Sequence, residues 1–113
     1  MGGTVQTDGT QMDLGATTLT ANSALATNNT VPAGATLNVG AVTGGGFTLG
    51  LNGGTGGAIT VASGDNISTL TVTNSGGTTV TGTLGAGTPG AVTLTDTTGT
   101  IAFQGNTAIT TLT

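Results

Sequence analysis

The 113-residue chain contains no Lys, Arg, His, Cys, Trp or Tyr. Each absence removes a class of function. Neutralising nucleic-acid phosphates takes Lys or Arg, so no nucleic-acid partner is expected. Attraction to an anionic membrane surface is excluded on the same ground. Without His or Cys there is no usual transition-metal site, no thiol nucleophile and no Ser-His-Asp triad. No disulfide framework can form. No apolar run approaches the roughly 18 residues of a membrane span, and no signal-peptide pattern is visible. The only charged side chains are Asp8, Asp13, Asp65 and Asp96, for a net charge of -4.

What is present is Gly, 23 residues, and Thr, 30 residues. Such a bias can mark a flexible linker. Against that, charged residues are only 4% and mean hydropathy is +0.29, whereas disordered chains combine low hydrophobicity with high net charge. Glycine shows no three-residue period and there are two Pro, so a collagen helix is excluded. Val, Leu, Ile, Met and Phe together number 26. So small a core requires that almost every large apolar side chain be buried and almost every strand paired.

No window carries apolar residues at helical spacing, because Gly or Thr interrupts each one. Short alternating runs recur instead, at residues 11–14, 18–20, 36–39, 47–51, 59–61, 70–73, 79–81, 92–95, 101–103 and 109–112. In each, one parity is apolar and the other is polar or small, the pattern of a strand with one buried face. From residue 38 onward the run centres fall at 38, 49, 60, 71, 80, 93, 102 and 111. Glycine clusters such as Gly44-Gly45-Gly46 and Gly53-Gly54 separate them. Two units of about ten residues make a coil of about twenty, a solenoid period.

An antiparallel β-sandwich shares this spacing and is the alternative. Its core normally holds large aromatics, and this chain has two Phe. A parallel β-helix has a narrow interior suited to Val, Leu, Ile and Ala, turns that accept Gly and Asn, and outer ladders of Thr and Asn. The expected fold is all-β: one parallel β-solenoid segment over residues 1–113, with five to six coils. Neither terminus carries a polar capping segment, so the sequence reads as a piece of a longer repetitive protein. The partners expected are neighbouring repeats of the same protein, or end-to-end self-association.

Three stretches carry a resemblance: Val31-Pro-Ala-Gly-Ala-Thr-Leu-Asn-Val-Gly40, the segment Ile67 to Leu84, and Gly99-Thr-Ile-Ala-Phe-Gln-Gly-Asn106. Their pattern and composition resemble the β-helical repeats of secreted bacterial exoproteins, the autotransporter passengers and filamentous-haemagglutinin-like proteins. The resemblance covers most of residues 16–113. It implies a right-handed parallel β-helix outside the cell or on the bacterial outer surface, acting as a spacer, shaft or adhesin, with glycan or host-surface contacts. S-layer and other fibre-forming subunits look similar. The family's repeats carry some Lys on the outer face, and this chain has none.

The candidate chemistry is thin. A paired-carboxylate hydrolase needs two acids in one cleft. Asp65 and Asp96 are expected in turns, capping their own backbone, and Asp8 and Asp13 stand without a basic neighbour. The nonapeptide of calcium-binding β-rolls is missing, so Gly64-Asp65-Asn66 is not taken as a calcium site. Gly53-Gly54-Thr55-Gly56-Gly57 lacks the Lys and the following helix of a phosphate loop. Asn28-Asn29-Thr30 and Asn66-Ile67-Ser68 match glycosylation acceptors by chance. No catalytic, cofactor-binding or metal residue is assigned, and no enzyme activity is expected.

The Thr-x-Thr runs, Thr18/Thr20, Thr69/Thr71/Thr73, Thr79/Thr81/Thr83, Thr93/Thr95 and Thr111/Thr113, offer one alternative. A flat Thr array could bind ice or carbohydrate. Asn38, Thr48, Thr60 and Thr71 do not keep one two-Thr pattern, which counts against it.

Overall fold

A computed structural model describes all residues 1–113. Thirteen strands follow in order: β1 (Gly3–Gln6), β2 (Met12–Leu14), β3 (Thr17–Thr18), β4 (Ser23–Ala26), β5 (Leu37–Thr43), β6 (Thr48–Asn52), β7 (Ala58–Asp65), β8 (Thr69–Asn74), β9 (Gly77–Val80), β10 (Leu84–Ala86), β11 (Gly90–Leu94), β12 (Ile101–Phe103) and β13 (Ile109–Leu112). There is no helix. Every strand pairing is parallel. The chain winds as a β-solenoid of about five turns.

The first sheet runs β1-β4-β6-β8-β11-β13. The second runs β12-β9-β7-β5-β2, with β3 beside β5 and β10 beside β7. The alternating runs in the second half of the sequence therefore fall on the two sheets by turns. Leu37 pairs with Ile59 and Val39 with Val61, an interval of 59 − 37 = 22 residues per coil.

The second sheet is bent into two faces. In β5, Leu37 and Val39 point inward, and then Val42 does. In β7, Ile59 and Val61 are inward, then Gly64. The inward parity switches from odd to even because the strand turns a corner at Gly40 and Ala62. Each coil is thus three-sided, where two runs per coil were expected. Coils meet closely at this corner. A Cβ on Gly40 would lie 2.7 Å from the Gly15 carbonyl oxygen, so no side chain fits there.

Stacked side chains fill the interior. On the first sheet one column is Ser23, Leu49, Leu70, Val92, Leu112, and its neighbour is Leu25, Leu51, Val72, Leu94. On the second, Leu14, Val39, Val61, Val80 and Phe103 form one column. Sixteen large apolar residues are buried and six more pack against them. Only Val5, Val31, Ile101 and Leu112 are exposed. Burial therefore falls short of what the small apolar content led one to expect: sixteen of the 26 are buried, six are partly covered and four are exposed.

One corner is polar inside. The Thr27 hydroxyl is fully buried and bonded to both backbone groups of Ala35. Below it the Ser75 hydroxyl lies 2.9 Å from that of Thr78 and 3.1 Å from that of Thr97. No buried side-chain polar atom lacks a partner, as a stable interior requires.

Candidate functional site: the outer face of the first sheet

Odd positions of β8 and β11 face outward, since Leu70, Val72 and Val92 occupy the interior. Registers then place Thr48 beside Thr69, Thr69 beside Ala91 and Ala91 beside Thr111. The next column is Thr4, Ala24, Gly50, Thr71 and Thr93. Thr113 continues it, because its N–H donates to Val92 O and its carbonyl accepts from Leu94 N–H. Neighbouring rows are spaced by about 4.8 Å and columns by about 6.7 Å, from strand geometry.

Three of the Thr-x-Thr runs, Thr69/Thr71/Thr73, Thr93/Thr95 and Thr111/Thr113, are therefore brought together in register on one face. Asn38 and Thr60 belong to the second sheet, whereas Thr48 and Thr71 belong to the first. Asn38 and Thr60 stand side by side in register, whereas Thr48 and Thr71 fall in adjacent columns of the first sheet, so these four residues form no single ladder. The array is not continuous, since Ala24, Gly50 and Ala91 interrupt it. Thr79 lies on the second sheet beside Thr60. Thr18 lies on β3 beside Thr43.

Where Ala24 and Gly50 replace Thr, the face sinks into an open trough of about 310 Å³. Gly3, Thr4, Asn22, Thr48 and Thr71 stand around it. Asn22 is fixed by its Oδ1, which accepts the Thr48 N–H at 3.0 Å. The other concavity is an interior gap of about 10 Å³ among Ile67, Leu70, Leu84 and Ile109, room for one water at most.

The acidic residues are dispersed. Asp8 accepts from Asn29 Nδ2 at 2.9 Å. Asp13 accepts from Asn38 at 2.6 Å and from Gln11 at 2.8 Å. Those bonds, Asn38 first, hold the Asp13 carboxyl below its ordinary value of 3.8. Asp65 was expected in a turn but is the last residue of β7, beside Thr43 and Ala86. The left-handed residue is Asn66, at φ 53°. Asp96 lies in a bend at φ 50°, without a capping hydrogen bond to its carboxylate. No three His, Cys, Asp or Glu side chains gather anywhere. In the Gly53–Gly57 turn, the N–H groups of residues 53, 54, 55 and 56 all donate within the protein, so they are not offered to a phosphate.

The fold places the chain in the class of parallel β-solenoids. Comparison with family models, curated proteins and solved structures gives no match.

Proposed function

We infer that this chain is a non-enzymatic structural or adhesive segment of a secreted or surface-exposed bacterial exoprotein, a spacer, shaft or adhesin. The observation that supports it is the continuous six-stranded parallel first sheet, whose inward columns continue from coil to coil. Such a stack extends by repetition and holds its outer faces at fixed spacing. The resemblance of Ile67 to Leu84 and its companions to exoprotein repeats points the same way. Surface labelling of the intact source bacterium with an antibody against this chain tests the reading. Signal on unpermeabilised cells or in the medium is expected, and signal found only after permeabilisation overturns it.

A second reading rests on the in-register column Thr71, Thr93, Thr113. Such an array could order flat layers of water. Thermal hysteresis, lost in Thr71→Leu, would favour this reading over a shaft. Freezing-point behaviour equal to that of a control protein removes it.

A further inference from the structure

We propose that the trough on the first sheet, floored by Ala24 and Gly50, is a binding subsite for a neutral pyranose ring, a proposal that rests on the adhesive reading above. Three observations converge on it. The first is the shape: a concavity of about 310 Å³ on an otherwise ridged face, within the size range of small-ligand sites.

The second is Gly50 itself. Glycine in the middle of a strand weakens it, and it often marks close approach of another group. Most glycines of this chain sit where a side chain would clash or where φ is positive, as the clash at Gly40 shows. Gly50 does not, because its φ lies outside the left-handed region and an added Cβ would meet only Ala24 Cβ at 3.7 Å. The fold leaves room for a Cβ here, and Thr71 and Thr93 occupy the same column. The cost in strand stability leaves an open floor as its visible result.

The third is the chemistry around the floor. The hydroxyls of Thr4, Thr48 and Thr71 make no hydrogen bond within the protein, and Asn22 keeps its Nδ2 donor after Oδ1 is used. Many other Thr hydroxyls bond to backbone carbonyls, among them Thr27, Thr81, Thr95 and Thr98. A sugar ring offers an apolar C–H face to Ala24 and Gly50 and a rim of hydroxyls that both donate and accept. No cation stands anywhere among the side chains and the net charge is -4, so an anionic sugar is disfavoured.

The test is ¹H–¹⁵N NMR titration of the full chain with cellotetraose, chitotetraose and maltotetraose, with sialyllactose as the anionic comparator. Saturable shifts at the amides of Ala24, Gly50 and Thr71 are expected with at least one neutral probe and absent with sialyllactose. Gly50→Thr fills the trough while favouring the strand, so Tm rises by a few degrees and the shifts disappear. Thr71→Val keeps the shape and removes one hydroxyl, and it weakens binding severalfold. No shift at those amides with any neutral probe overturns the proposal, as do equal shifts with sialyllactose or shifts unchanged in both variants. Any of these results leaves the surface labelling untouched, so the subsite can fail while the shaft reading stands.

Discussion

The Thr27 hydroxyl donates to the Ala35 carbonyl oxygen at 2.7 Å and accepts from the Ala35 N–H at 3.0 Å. One side chain thereby satisfies both backbone groups of a residue eight positions on, at a corner where no strand partner does so. Thr27→Val keeps the shape and leaves both groups of Ala35 without that partner. A loss of about 1–3 kcal/mol is expected in urea unfolding. A loss under about 0.5 kcal/mol would show that water replaces the hydroxyl.

Leu51 sits between Leu25 and Val72 in an inward column and is 1% exposed. Truncation to Ala leaves a cavity that the stacked coils above and below hold open. Leu51→Ala should cost roughly 2–5 kcal/mol. Leu112, 55% exposed in another column, should cost well under half as much when cut to Ala. Equal losses at the two sites would contradict the described interior.

Gly40 and Gly50 should respond with opposite sign to the same substitution. At Gly40 an added methyl lies 2.6 Å from the Gly15 carbonyl carbon, so Gly40→Ala forces two coils apart and costs about 1–3 kcal/mol. Gly50→Ala meets only an ordinary contact and gains a few tenths of a kcal/mol up to about 1. Differential scanning calorimetry of the two variants decides the point.

Asp13 carries the pH prediction. Its folded-state carboxyl is held below 3.8 by Asn38 and then Gln11. A depressed carboxyl stabilises the fold above its unfolded value, and the contribution is lost as pH falls through the lower, folded value. The group is fully exposed, so the effect on stability is small and is best read directly. An NMR titration of the Asp13 carboxyl should give a midpoint below 3.8, and Asn38→Ala should move it upward. No movement in Asn38→Ala would assign the depression to another partner.

Legibility in the sequence followed side-chain contrast. Strands such as β6 and β8, with Leu or Val against Thr and Asn, were readable because the two faces differ in polarity. β4 was not, because Ser23 faces the core while Ala24 and Ala26 face out, which reverses the usual signal. β1 has no buried face, all four of its residues being exposed, and β10 carries a single large apolar residue, so neither shows alternation. The third face of each coil was hidden for a related reason: β5 and β7 run through a corner, so a single period of two breaks midway. The Thr columns required knowing which runs share a sheet, and coil length decides that. The trough was invisible, since a lone outward glycine has no signature until the residues beside it are placed.

The interval of 22 residues between Leu37 and Ile59, kept at Val39 and Val61, makes coil number an adjustable quantity. Each coil pairs with the coils beside it, so removing or duplicating one whole turn keeps inward positions stacked on inward positions. A shift of a single residue does the reverse and exchanges inward for outward positions along a whole strand. Length in this molecule can therefore change in whole turns without inventing a new interface, while point insertions inside a strand are heavily penalised. A gene encoding such a chain can lengthen by unequal recombination between its own coils, and the length of the solenoid becomes a heritable variable independent of its cross-section.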